Sequence, residues 1–359
     1  MSSDLPRAEP PDAPTTIERL FYPAEPESWD RRALLSPVTA LSWGYGLGIR
    51  LRGALYDAQF LSGERVEGLR VISVGNLNVG GTGKTPAVLH LAEMLVRAGR
   101  KVGILTRGYG RQSKEPLTFK GTEPLPSVEE AGDEPLLLAR RCPEARVLVG
   151  ADRRTLARRA GDEFGLEVVL LDDGFQHRRL ARDEDVVVVD EAAGFGNGKL
   201  LPRGPLREPL SALRRATLFW VRVATTPGHS LPPLPGPQVR TRYRPTAWVD
   251  PAGADLPPES LSGVPVVALA GLARPGNFLR TLRQLGASIQ DAALFPDHHR
   301  FTASELREVE TRAARHGARI VTTEKDAVRL PRGFEAWTVR LRVEVLEGED
   351  LLRKALGLI

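Results

Sequence analysis

The sequence predicts an α/β protein. It places a three-layer α/β/α domain around a phosphate loop, a second, smaller α/β domain after it, and a separate helix before both. Three observations predict this. A glycine-rich run ending Gly83-Lys84-Thr85 lies between an apolar strand pattern and a helical one. Short Val/Ile/Leu-rich runs alternate with helical patterns, as parallel βαβ units require. A Pro- and Gly-rich stretch at 224–260 interrupts that alternation, which then resumes.

The chain has 359 residues, long for one domain. With 42% apolar and 26% charged residues it has enough apolar material for a sizeable core. The formal net charge is +5, which mildly favours anionic partners. No Lys/Arg block marks a nucleic-acid arm, so no nucleic-acid partner is expected. Cys142 is the single cysteine, which excludes an intrachain disulfide and a Cys-based zinc site. It reads as a plain residue at a helix end. The opening residues have no apolar core of the kind a secretory signal carries, and nothing suggests a coiled-coil seam, so a monomer is expected.

In chain order, residues 1–28 are polar and proline-rich and read as a disordered tail. Residues 29–70 hold the preceding helix. Ser36 is its expected N-cap, with Pro37 at the first position. Leu34, Val38, Leu41, Tyr45 and Ile49 keep helical spacing. Arg50 and Arg52 end the apolar run short of the ~20 residues that span a bilayer. Trp43, Tyr45 and Tyr56 beside two arginines suit an amphipathic, interfacial helix on a membrane surface. A core helix packed on the next domain is an equal alternative. Residues 71–223 form the first α/β domain, with strands expected at 71–75, 101–106, 147–150, 168–171, 186–190 and 218–223. Residues 224–260 read as a linker, and 261–359 as the second domain.

Asn78-Val79-Gly80-Gly81-Thr82-Gly83-Lys84-Thr85 is the phosphate loop. Its glycines let backbone N–H groups curl around phosphate oxygens, and the helix N-terminus adds positive charge. Lys84 reaches for the β- and γ-phosphates and the Thr85 hydroxyl for Mg²⁺. Asn78 stands where the strict pattern has glycine, and asparagine tolerates left-handed backbone angles. An ordinary glycine loop lacks the Gly-Lys-Thr ending and this context. The fold class is therefore P-loop NTPase-like.

The apolar run Val168–Leu171 ends in Asp172 and Asp173, which suits a strand whose acids hold Mg²⁺. Which of the two touches the metal is open. Gln176 and His177 follow directly. They can order nucleotide or substrate, or merely form a basic turn. Glu208 closes a long irregular loop at 194–207 and is open between metal binding and loop structure. Asp133 and Glu134 precede an apolar helix, and propensity alone makes them its cap. His298 and His299 sit in a later loop. No further ligand lies at metal spacing, which favours an acid–base role for one of them.

Together these segments resemble the tetraacyldisaccharide 4′-kinase family. The resemblance is carried by Ser73–Pro86, Thr106–Arg111, Ala131–Pro135, Leu171–Arg178, Leu200–Pro209, Ala270–Phe278, Phe295–His299 and Thr322–Ala327. It spans residues 30 to 345, and the order of so many motifs makes it specific. Asn78 matches the family. Arg203 stands where alanine is expected, and the first 28 residues look like an addition. The resemblance implies ATP- and Mg²⁺-dependent phosphorylation of the 4′-hydroxyl of a lipid disaccharide 1-phosphate. It implies a late step of lipid A synthesis by a peripheral or monotopic protein at the cytoplasmic face of the inner membrane. It also implies that Asp133 is the base, supported by His298, against the helix-cap reading. Because those two fall in different expected domains, domain closure is expected to complete the site. The alternative is a P-loop ATPase or GTPase switch or insertion factor with no lipid acceptor. A scaffold with a vestigial nucleotide site is disfavoured by the intact Lys84, Thr85, Asp172 and Asp173.

Overall fold

The structure, a computed structural model, describes residues 16–23, 25–224, 231–272 and 275–359. Its strands are β1 (Arg70–Gly75), β2 (Val102–Thr106), β3 (Leu117–Lys120), β4 (Arg146–Val149), β5 (Val168–Asp172), β6 (Glu184–Asp190), β7 (Leu218–Arg222), β8 (Gln238–Val249), β9 (Asp255–Leu256), β10 (Pro265–Gly271), β11 (Ser288–Phe295), β12 (Arg319–Thr323) and β13 (Trp337–Glu347). The α-helices are α1 (Thr16–Phe21), α2 (Trp29–Leu34), α3 (Ser36–Asp57), α4 (Lys84–Arg97), α5 (Val128–Ala131), α6 (Asp133–Arg141), α7 (Arg153–Asp162), α8 (Pro275–Gln284), α9 (Ala303–Arg315), α10 (Glu324–Ala327) and α11 (Glu349–Ala355).

All strands join one sheet, ordered β11-β10-β12-β13-β8-β7-β6-β1-β5-β2-β4-β3, with β9 paired to β8. Around β1 the pairing is parallel: β1 with β5 and β6, and β2 with β5 and β4. These central strands are continuous apolar runs because helices cover both faces. Val169 and Leu171 face the α7 side with Leu156 and Ala160, while Val168 and Leu170 face the α4 side with Val88 and Leu91. The carboxyl ends of β1 and β5 therefore bring the glycine loop and the acid pair side by side, where open α/β sheets bind ligands.

Two expectations about domain layout are corrected. The stretch 224–260 contains β8 instead of only linker; residues 225–230 lie outside the described residues. β8 pairs with β7 through 238–241 and with β13 through 240–249, forming a two-stranded antiparallel ribbon between the two halves of the sheet. Pro245 is accommodated where the register shifts, and its missing N–H therefore costs little. The chain after 261 is also not one block. Leu352, Ala355 and Leu356 of the α11 region are buried in the first core with Val88 and Leu91, and Arg70 donates to the Ala355 carbonyl.

The N-terminal segment departs from expectation as well. Residues 1–15 and 24 are outside the described residues. Those that follow are ordered against the 194–207 loop, although their composition suggests disorder. Asn197 donates to the Leu20 and Phe21 carbonyls through its side chain and backbone respectively. Arg203, almost wholly buried, is paired with Glu27 and reaches Thr39. Such a segment borrows polar partners from the rest of the protein, which composition does not reveal. The N-cap of α3 is Leu35, one residue before the expected Ser36. Its inner face packs by polar bonds: Ser42 donates to the Leu200 carbonyl, Tyr45 to that of Arg207 and Arg52 to that of Gln176. Its outer face exposes Leu41 (65%), Trp43 (74%), Leu47 (69%) and Leu51 (61%). No helix among the described residues is long and apolar enough to cross a membrane.

Candidate active site

The glycine loop is pinned from several sides. Gly80 and Gly83 have φ of +100° and +87°, which L side chains avoid. A Cβ on Gly80 or Gly81 would meet nothing within 4 Å, so backbone N–H groups there are approachable by phosphate oxygens. Asn76 donates to the Asn78 carbonyl and the Thr82 hydroxyl, both at 2.8 Å. Val79 N–H donates to the Pro205 carbonyl. Asn78 is not left-handed, which corrects the expectation. It is buried, and its amide donates to the Gly194 carbonyl at 2.9 Å and the Tyr22 hydroxyl at 3.2 Å. An asparagine at this position ties the phosphate loop to the long loop, a role glycine could not fill. Lys84 opens α4 and donates to Asn76 Oδ1 at 3.2 Å, and Thr85 stands beside it in the first turn.

Asp172 ends β5, buried, with the Thr106 hydroxyl 3.4 Å from Oδ2. Burial, then Glu134 and Asp173, push its carboxyl up to about 7. Asp173 has φ of +55° and pairs with Lys84 at 3.4 Å and Arg207 at 2.7 Å. Burial raises its pKa, but Lys84 and Arg207 outweigh that and hold the carboxyl below its ordinary value. Strain of this kind persists where the surroundings over-determine it. Glu208 Oε2 accepts from Arg215 at 2.7 Å, while its buried Oε1 has no hydrogen-bond partner among the described residues. No cluster of three or more His, Cys, Asp or Glu groups suited to a metal occurs among those residues. The carboxylates of Asp172 and Asp173 beside the Thr85 hydroxyl fit Mg²⁺, which takes one or two carboxylates and completes its shell with water and substrate phosphates. A buried carboxylate held near neutrality beside another is what a divalent cation relieves.

Asp133 is the first residue of α6, and its Oδ1 accepts from the Glu134 N–H. The helix-cap reading thus describes one oxygen. The other, Oδ2, lies 2.9 Å from His298 Nδ1 and 3.8 Å from Arg329. Burial raises the Asp133 pKa, but His298, Lys325 and Arg329 outweigh it and hold the carboxyl below its ordinary value. Asp133 in turn raises the imidazole. His298 has φ of +60°, and its ring lies 5.1 Å from that of Tyr109. His299 is excluded from the pair: it binds Glu305 and stacks on Phe295.

Gln176 serves the loop. Its amide donates to the Asn76 carbonyl and its oxygen accepts from Arg207. His177 faces away, into a cleft of about 530 Å³ lined also by Arg52, Tyr56, Leu61 and Arg179. Burial, then Arg153 and Arg182, lower its imidazole to about 4, so it is neutral there. Four residues were missed by sequence reasoning. Arg207 bridges Asp173 and Gln176, Tyr243 donates to the Gly83 carbonyl at 2.7 Å, and Lys325 and Arg329 flank the dyad. Arg207 and Lys325 lie inside quoted motifs, which was a usable signal. Tyr243 lies in the stretch read as linker and had none. Ala273 and Arg274 of the Ala270–Phe278 motif lie outside the described residues.

A phosphate loop, a neighbouring acid pair and a carboxylate–imidazole dyad facing them define a P-loop phosphotransferase. The family model for LpxK, tetraacyldisaccharide-1-P 4′-kinase, matches residues 32–357. The chain is 46% identical to a tetraacyldisaccharide 4′-kinase from Anaeromyxobacter sp. (strain Fw109-5), over 95% of this chain and 96% of that one. It is 50% identical to another from Anaeromyxobacter dehalogenans (strain 2CP-C), over 86% of each. The crystal structure of LpxK from Aquifex aeolicus in complex with ATP superposes with a TM-score of 0.77 at 34% identity, covering 91% of this chain and 98% of that one. The chain belongs to the tetraacyldisaccharide-1-P 4′-kinase family.

Proposed function

We propose that this protein transfers the γ-phosphoryl group of ATP to the 4′-hydroxyl of a tetraacyldisaccharide 1-phosphate, a late step of lipid A synthesis, at the inner face of the cytoplasmic membrane. The observation that carries it is the Asp133–His298 contact, with the neighbouring Glu134 close enough to the acid pair to push Asp172 up. The hydroxyl oxygen attacks the γ-phosphorus, and its proton passes to Asp133. The bond from the γ-phosphorus to the bridging oxygen breaks, and its electron pair leaves on ADP. His298 orients the carboxylate and stabilises it while it waits. Lys84 and the loop N–H groups stabilise charge on the transferring group. Thr85, Asp172, Asp173 and the free oxygen of Glu208 would hold Mg²⁺, whose charge would further neutralise the phosphate oxygens.

The two halves of the site come from the two halves of the sheet, and the dyad that joins them is already formed, with His298 Nδ1 2.9 Å from Asp133 Oδ2, so the expected domain closure is not needed to assemble it. The outer face of α3 supports attachment in the plane of the membrane interface, because Trp43 and the leucines around it are exposed among the described residues. The cleft beside His177 lies along the same helix, which suits a path for a lipid head group.

Purified protein in detergent, with γ-labelled ATP, Mg²⁺ and the lipid disaccharide, tests the reading. Label should move to the lipid, and Lys84→Ala and Asp133→Ala should each abolish transfer. ATP hydrolysis indifferent to lipid, with no transfer, would leave only a nucleotide switch.

A further inference from the structure

Lys325 is packed against the dyad but is neither phosphate ligand nor base. Its ammonium lies 3.3 Å from His298 Nε2, 3.1 Å from Asp297 Oδ1 and 3.7 Å from Glu134 Oε1. An ammonium only donates. The imidazole nitrogen facing it must therefore accept, which puts the ring proton on the other nitrogen. That nitrogen, Nδ1, is the one 2.9 Å from Asp133 Oδ2. We infer that Lys325 is a tautomer lock: it keeps the proton of the neutral His298 ring on Nδ1 and opposes the ring's ionisation, so that Asp133 keeps its basicity. The inference rests on the reading of Asp133 and His298 as the catalytic pair.

The surrounding charges agree with this role. Asp133 of α6 and Asp297, whose Oδ2 lies 3.7 Å from Nε2, face the ring with negative charge, Tyr109 packs on it and Lys325 supplies positive charge, while Glu134 meets Lys325 and Arg329 lies beside Asp133. Asp133 outweighs burial and Lys325 and holds the imidazole above its ordinary value, so Lys325 limits a rise that would otherwise be larger. Burial lowers the Lys325 pKa, but Glu134, Asp297 and Asp133 outweigh it, so the lysine stays charged. Without the lysine, His298 would ionise more readily and form an ion pair with Asp133. A carboxylate in such a pair is a weaker base for a sugar hydroxyl. Lys325 is thus a positioning residue that acts through His298.

The test uses the full chain, with Lys325→Met and Lys325→Arg alone and in a His298→Gln background. Lipid phosphorylation is followed across the histidine range of pH. Lys325→Met should move the acid limb of kcat up by about one unit, lower kcat near neutrality and leave KM for ATP unchanged. Lys325→Arg should restore the limb, because a guanidinium also only donates. In the His298→Gln background, Lys325→Met should move nothing. Nitrogen-15 spectra of the unmodified protein, above the imidazole titration, should show Nδ1 protonated and Nε2 bare. An unmoved limb in a folded Lys325→Met protein, or a protonated Nε2, overturns the inference. The spectrum decides even if the variant does not fold. Asp133→Ala separates the two ideas: if it still phosphorylates lipid, the dyad reading fails. If it is inactive while the limb stays put, only the lysine's role is lost.

Discussion

Asp133 and His298 stand 165 positions apart in the chain and 2.9 Å apart in space. One is on α6 of the first half of the sheet, the other in the loop after β11. Asp133→Asn keeps the shape and removes the base. It should lower kcat by about 10²–10⁴-fold while ATP still protects the fold against heat, read by steady-state kinetics beside thermal unfolding with nucleotide.

The same pair gives a pH signature in stability. Asp133 is held below its ordinary value of 3.8, so its contribution is present above that value and lost as pH falls through the lower one. His298 is raised above 6.5, so its contribution is full below that value and lost as pH rises through the higher one. The contact is therefore strongest between 3.8 and 6.5. His298→Gln should lose more melting temperature near the top of that window than at alkaline pH. An equal loss at both would show that the pair does not couple to folding.

Gly83 is constrained twice. Its φ is +87°, and an added Cβ would lie 2.6 Å from Cε2 of Tyr243. Gly83→Ala should cost about 1–3 kcal/mol and weaken ATP binding. Tyr243→Ala should relieve the steric part only, and calorimetric titration of the single and double variants reads the difference.

The outer face of α3 can be altered without touching its inner face. Leu47→Glu with Leu51→Glu should abolish co-sedimentation with anionic vesicles and leave soluble ATP binding intact. Unchanged sedimentation would mean that another surface meets the membrane.

Arg203 is nearly sealed from solvent and pairs with the partly buried Glu27, which Lys199 also meets at 3.3 Å. Arg203→Ala leaves that carboxylate with Lys199 alone and should cost about 1–3 kcal/mol. Adding Glu27→Gln should recover much of the loss, as a double-mutant cycle of melting temperatures will show.

The parallel core was legible because Val168–Leu171 and Val186–Val189 are apolar runs buried on both faces, a pattern that survives any packing detail. The glycine loop and Asp172–Asp173 were legible because each lies at the end of such a run. β8 was not. Its residues alternate with arginines and include Pro245, and they form a strand only because β7 and β13 supply partners from distant parts of the chain. Asp133 was half legible: helix-start chemistry explains Oδ1, but nothing local announces the imidazole on Oδ2. Asn78 was found for the wrong reason, since its amide, not its backbone, is what the loop uses. The role of Lys325, though it lies in a quoted motif, was not legible because its partners, His298 after β11 and Glu134 at the start of α6, are far away in the chain.

The path of the chain through the β8–β13 ribbon has a consequence for biosynthesis. Chain synthesis passes from the first half into the second and back, and α11 seals the first core beside α4, the helix that follows the phosphate loop. A nascent chain that has emerged only as far as β7 holds the whole glycine loop and both acids, yet lacks Tyr243 beneath Gly83 and Leu352 beside α4. The packing around the glycine loop is therefore completed only after the second half of the chain has been made.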